Sequence, residues 1–339
     1  MSFQLLGAGS PLVDYSLAVT ENFLQKSVPC TKGATAHISP AEKTAVLNNF
    51  DGHTLRTPGG SAANTLRTFT ALGGRGSHFG KAGNDDDGNF FAQAMLNAGC
   101  DDSLILKDDV FATGYCLTLV TPDGERTMLS DLGASLRINE NDLKKIDFSQ
   151  FDFLLLEGYL IREPWIPALL AQARSAGCKT ALDLNNFEMV SSHREIFRQV
   201  IDSGISLLLA NEAEMQALFP GKDQNSIITE LQKTVPLAVF KRGKDGAWIV
   251  EKNNVTTVPA VKTTVKDTTG AGDFFAAGFF YGLSRNLPYH LCGRIGALCA
   301  GAIIAVNGTI LNDEVFSLLK HNIENEVKNE LQSQGYHAG

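Results

Sequence analysis

The stretch Asp267-Thr268-Thr269-Gly270-Ala271-Gly272-Asp273 holds the residues best suited to chemistry. Gly270, Ala271 and Gly272 lack bulky side chains, so an anion can approach their amides, and the apolar run over 274–283 predicts a helix beginning there. The first amides of a helix have no intrahelical partner and its dipole favours negative charge, which predicts an anion hole. Asp273, in the first turn, is placed to take a proton from an attacking hydroxyl. Anion hole and base together suit phosphoryl transfer, in which charge builds on the transferring oxygens. A plain glycine turn, with Asp273 only complementing the helix dipole, is the structural alternative. The preceding Asp-Thr-Thr and an alternating strand predicted at 261–265 weigh against it.

A second glycine pair, in Gly59-Gly60-Ser61-Ala62-Ala63-Asn64, opens a predicted helix with Leu66, Phe69 and Leu72 on its apolar face. Glycines there let a ligand lie against the backbone, and Asn64 is one turn away on the same side. An Asn inside a helix is unfavourable unless something repays it, or unless it simply lies at the surface. Asn211 and Glu214, at i and i+3 after an apolar strand, could reach Mg²⁺ through its water shell. They could equally form an N-cap with an acidic N3 residue. In Lys241-Arg242-Gly243-Lys244-Asp245-Gly246 the glycines could admit a nucleotide, or the segment could be a hairpin. Gly7-Ala8-Gly9 starts like a dinucleotide fingerprint, but Leu12 stands at the third glycine position and no helical pattern follows. Asp14 is better read as a carboxylate for vicinal sugar hydroxyls.

These residues need a frame. Short apolar runs at 3–7, 77–81, 152–156, 180–184, 206–209, 237–241 and 247–251 alternate with helical patterns at 61–72, 88–97 and 164–176, each closed by a glycine. That order predicts an α/β fold with a predominantly parallel sheet and helices on both faces. In such sheets ligands sit beyond the carboxyl ends of the strands, where Asp14, 80–87, 157–159, 183–185, 211–214 and 241–246 fall. Segments 13–57 and 101–131 break the rhythm, the second with an alternating run at 115–120 and a turn at Pro122-Asp123-Gly124. The expected organisation is a main domain over 1–12, 58–100 and 132–339, with 13–57 and 101–131 as an inserted β-rich lid. A polar tail is expected after about Asn325.

The chain has 339 residues, 44% of them hydrophobic, and a formal net charge of −8. That composition supplies a large core and no basic footprint for nucleic acid. Cys30, Cys100, Cys116, Cys178, Cys292 and Cys299 stand too far apart for a metal motif and read as reduced core thiols. The N-terminal residues lack a signal-peptide pattern, so a cytoplasmic protein without a membrane partner is expected.

Taken together, these motifs resemble the PfkB (ribokinase-like) carbohydrate and nucleoside kinase family. Gly59–Asn64 is similar to its first motif and Asp267–Asp273 to its second, over nearly the whole chain. The flanks Gly9–Asp14, Phe79–Asp85 and Thr121–Met128 look most like the adenosine-kinase branch and its bacterial sugar-kinase relatives. The resemblance implies a ribokinase-like fold, ATP and Mg²⁺ as co-substrate and cofactor, and in some members K⁺ beside the second motif. It implies Asp273 as base, Gly270, Ala271 and Gly272 as anion hole, and Asn211 with Glu214 near the metal. Asp14, Gly59, Gly60, Ser61 and Asn64 would hold the ribose, and Tyr159 a purine, with Thr35 and His37 lining the lid side. Lys241, Gly243, Gly246, Asp267 and Thr268 would lie on the nucleotide side, and Arg126 in the lid could meet phosphates. The 5′-hydroxyl of adenosine is the favoured acceptor and a free sugar the alternative. A catalytically silent binding protein would be expected to have lost Asp273, and a nicotinamide oxidoreductase would need the fingerprint that fails at Gly7. Monomer and homodimer remain equally open.

Overall fold

The computed structural model describes residues 3–28 and 30–333. The parts of the expected organisation at residues 1, 2, 29 and 334–339 lie outside the described residues. In chain order the strands are β1 (Gln4–Ala8), β2 (Leu12–Ala18), β3 (Thr35–His37), β4 (Thr54–Gly59), β5 (Arg75–Gly83), β6 (Ile105–Asp108) and β7 (Thr113–Val120). They continue with β8 (Arg126–Gly133), β9 (Phe153–Glu157), β10 (Lys179–Asp183), β11 (Leu207–Asn211), β12 (Leu237–Lys241), β13 (Ala247–Glu251) and β14 (Asn254–Val258).

Nine strands form one sheet in the order β14-β13-β12-β11-β10-β9-β1-β5-β6. All its pairings are parallel except the antiparallel β12–β13 and β13–β14. The central strands are apolar throughout because both faces are covered. Leu6, Leu154, Leu156, Leu208 and Ala238 pack into one core, while Leu5, Phe153, Leu155, Leu207 and Val239 pack into the other. The helices Ser61–Ala71, Asp86–Asn97 and Ile166–Ser175 are followed closely by Gly73, Gly99 and Gly177, all at positive φ, where an L side chain would be strained.

The other five strands form a smaller sheet, β3-β8-β7-β2-β4. One of its faces is closed by the helices Glu21–Ser27 and Pro40–Asn48 over Leu17, Leu24, Ile38, Val46, Leu117 and Leu129. The segment is thus not purely β, and residues 105–108, expected in the inserted sheet, pair with β5 at the edge of the large one.

Two further expectations are corrected. Residues 261–265 are not a strand: the antiparallel edge is β14, which ends at Val258 before Pro259, a residue that cannot donate to a ladder. Val265 is 57% exposed, so the alternation there reflects no buried face. The polar tail is instead the far part of a helix, Asp313–Ser333, because Leu319, Ile323 and Val327 form a buried stripe at i, i+4 and i+8.

Candidate active site

The turn before Asp273 leads into the apolar helix Ala271–Ser284, capped by Gly270 at φ 76°. This helix is held against Tyr289–Ile303 by backbone-close packing. A Cβ on Gly278 would lie 2.7 Å from the Ile295 carbonyl, and one on Gly282 would lie 2.8 Å from Cys292 Cα. The turn is therefore mounted on a rigid pair. The Ala271 amide donates to Thr268 O at 3.2 Å and Phe274 N to Gly270 O at 2.9 Å, and the amides of Gly270, Gly272 and Asp273 have no acceptor among the described residues. Asp267 stiffens the loop, accepting from Thr269 N at 2.8 Å and Gly308 N at 2.9 Å. Burial opposes its charge, but these bonds together with Arg126 hold its carboxyl down at about 2.

The second glycine motif meets the first. Ser61 Oγ donates to Asp273 Oδ1, and Asn64 Nδ2 donates to Oδ2 at 3.0 Å. Asn64 is therefore neither a surface residue nor an unrewarded one: it is 6% exposed and bound to the candidate base. Burial pushes Asp273 up to about 7. The bonds from Ser61 and Asn64 and the charge of Lys241 pull it down, while Asp183 pushes it further up.

Asp14 lies over Gly59, where a Cβ would come 2.4 Å from its carboxylate, so the glycine is a requirement of close approach. Burial raises Asp14 to about 7 against the pull of Arg67. In the small sheet Asp14 stands beside Cys116, and Cys116 beside Ser130. That face is turned toward the glycine turn, because Arg126, on the same side of β8, forms a 2.8 Å ion pair with Asp267 and donates to Thr269 Oγ1. Tyr159, 38% exposed, has its phenol pKa raised by burial and then by the charges of Asp273 and Glu157.

Asn211 and Glu214 do form the capping box of the helix Glu212–Leu218. Asn211 N and Nδ2 donate to the two Glu214 oxygens at 2.8 and 2.7 Å, and Glu214 N donates back at 2.9 Å. Glu214 is also buried, with its carboxyl pushed up by that burial, and it faces Lys241, Asp183 and Asp273. Each of its oxygens keeps a lone pair for a metal-bound water. Residues 241–246 are a hairpin, with Arg242 N donating to Gly246 O at 2.7 Å. A Cβ on Gly246 would fall 1.9 Å from Val258 O, so β14 requires that glycine; Gly243 has open space around it.

Several participants carried no assigned role in the sequence. Glu157 accepts from Ser10 N at 2.7 Å and Ala62 N at 3.2 Å, and burial raises it to about 7. Asn185, at φ 61°, donates to Ser61 Oγ at 2.6 Å and accepts from Gly158 N at 2.7 Å. Asp183 pairs with Lys241. Their only signal was position after a strand. The opening glycines have a packing reason: a Cβ on Gly7 would meet Leu66, and one on Gly9 would meet Ala62 and Glu157. Residues 80–87 converge elsewhere, since Asp87 binds Lys43 at 2.7 Å together with Arg56 and Tyr15 and ties the small sheet to the main body.

Residues 27–315 match the model of the pfkB family carbohydrate kinases. The chain belongs to that family. It is a kinase that phosphorylates a hydroxyl group, with ATP as phosphoryl donor. The 5-dehydro-2-deoxygluconokinase of Lacticaseibacillus casei is 28% identical over 80% of the kinase and 86% of that protein. The aminoimidazole riboside kinase of Salmonella typhimurium is also 28% identical, over 74% and 85%. Among solved structures, adenosine kinase from Sinorhizobium meliloti superposes with a TM-score of 0.84 at 28% identity, covering 95% of the kinase and 100% of that chain. The family and this likeness agree with the α/β, ribokinase-like architecture. Among the described residues no helix is long and apolar enough to cross a membrane.

Proposed function

We propose that this kinase transfers the γ-phosphoryl group of Mg·ATP to the 5′-hydroxyl of a ribosyl group, in adenosine before other acceptors, with Asp273 as the base. The carrying observation is that Ser61 and Asn64, on the helix opened by Gly59 and Gly60, bind both oxygens of Asp273. A sugar laid against those glycines under Asp14 has its reacting hydroxyl beside a carboxylate whose pKa of about 7 suits proton removal at neutral pH. The free amides of Gly270 and Gly272 face the charge that develops on the phosphoryl group, with Ala271 completing the turn. Gly243, Gly246 and Thr268 lie on the nucleotide side, and Asn211 with Glu214 takes Mg²⁺ through water.

Likeness to the Sinorhizobium meliloti adenosine kinase supports the nucleoside, and the half-exposed Tyr159 ring beside Asp273 offers a surface for a base. A free sugar or sugar acid is the second reading, favoured by likeness to the Lacticaseibacillus casei enzyme. The test compares kcat/KM for adenosine, inosine, ribose and fructose, then adenosine and ribose on Tyr159→Ala. Stacking worth about 1–3 kcal/mol would separate adenosine from ribose by roughly five- to 150-fold in the wild type. A better rate with ribose or fructose hands the assignment to the sugar reading.

A further inference from the structure

Lys241 ends β12, and its Nζ lies 3.1 Å from each oxygen of Asp183, at the end of β10, so the pair spans the intervening β11. Asp183 is 4% exposed. An ammonium has three donors; Asp183 takes two, and among the described residues no protein acceptor takes the third. The neighbour on the remaining side is Gly272, where a Cβ would lie 3.2 Å from Nζ. Gly272 has no positive φ, so the glycine there serves space: its bare Cα lets the ammonium pack under the anion-hole turn. Glu214 and Asp273 also face Lys241, which supplies the positive charge among three carboxylates.

We propose that Lys241 is a positioning residue for the anion hole: pinned by Asp183, its ammonium supports the Gly270–Gly272 turn from beneath and places a buried positive charge under the phosphoryl group in transfer. A buried charge acts strongly because little water screens it, and it is already in place when the transferring oxygens gain charge. Its effect therefore falls on the transition state more than on bound nucleotide. A purely structural ion pair joining β10 to β12 would change stability and leave that balance untouched. The inference holds for any acceptor and is independent of the nucleoside reading.

The experiment measures Lys241→Met and Lys241→Arg with Mg·ATP and the best acceptor of the panel above, alongside calorimetry with Mg·ADP alone and with Mg·ADP plus aluminium fluoride and that acceptor. Lys241→Met is expected to lower kcat by about 10²-fold or more, the scale of losing one oxyanion donor. Mg·ADP affinity should stay within about threefold of wild type, because ground-state binding is not what the charge serves. The aluminium fluoride complex, a mimic of the transferring group, should be lost, and Lys241→Arg should recover part of the rate. The proposal is overturned by a kcat within about threefold of wild type, or by a fall in Mg·ADP affinity as large as the fall in kcat/KM. Should Lys241→Met fail to fold, the neutral pair Asp183→Asn with Lys241→Met takes its place under the same criteria.

Discussion

Asn64 Nδ2 donates to Asp273 Oδ2 at 3.0 Å across 209 positions of sequence, joining the two glycine motifs into one centre. With Ser61 on the other oxygen, the carboxylate is fixed in orientation before any substrate arrives. Preorganisation of this kind is what a general base requires, since misplacement by an ångström is costly.

Replacing Asp273 by Asn keeps the shape of the side chain, removes the proton acceptor and turns one of the two oxygens that accept from Ser61 and Asn64 into a donor. Turnover is expected to fall by about 10²–10⁴-fold, with Mg·ADP affinity by calorimetry unchanged. A variant that keeps more than about a tenth of the wild-type rate would falsify the assignment of the base.

The pH dependence has a definite sign. Asp273 must be ionised to accept a proton, and burial raises its pKa to about 7. The kcat/KM of the wild type should therefore be flat above about 7 and fall tenfold per pH unit below it. A plateau extending down to pH 5 would show that no group with that proton affinity limits the reaction.

Glu214→Gln tests the metal side. Its carboxylate faces Lys241 and Asp273 while its oxygens cap Asn211, so the amide can retain part of the cap and lose the charge. The Mg²⁺ concentration for half-maximal rate should rise, because a metal-bound water loses a charged acceptor, and the acceptor KM should stay the same. An identical Mg²⁺ titration would leave Glu214 with its capping role alone.

Arg126 tests closure of the smaller sheet. Its ion pair with Asp267 links β8 to the glycine turn, and the two passages by which the chain returns from the smaller sheet to the larger carry positive-φ glycines, Gly60 at 93° and Gly133 at 52°. Acceptor with a nonhydrolysable ATP analogue should slow hydrogen exchange over 115–120, since a reacting phosphoryl group must be kept from water. Arg126→Ala should raise exchange there in the free enzyme. Equal exchange in all three samples would remove the lid from the mechanism.

What the sequence determined by itself was everything encoded locally. Continuous apolar runs marked strands covered on both faces, glycines marked helix ends, and Gly270–Gly272 before an apolar run marked a turn opening a helix, because each depends on a few neighbouring residues. Element identity failed at 261–265, where alternation without a covering layer looks like a half-buried strand, and at 325–333, where Val327, the last of a buried stripe with Leu319 and Ile323, stands among polar residues that look like a tail. The tertiary structure alone decided which side chains meet. Nothing near Asp183 announces Lys241, 58 positions on, as its partner, and no local feature of Gly272 shows that its missing side chain makes room for that ammonium. The reason is physical: a parallel sheet sets strand ends from distant parts of the chain side by side, and burial then gives the charges gathered there an influence that no local stretch of sequence displays.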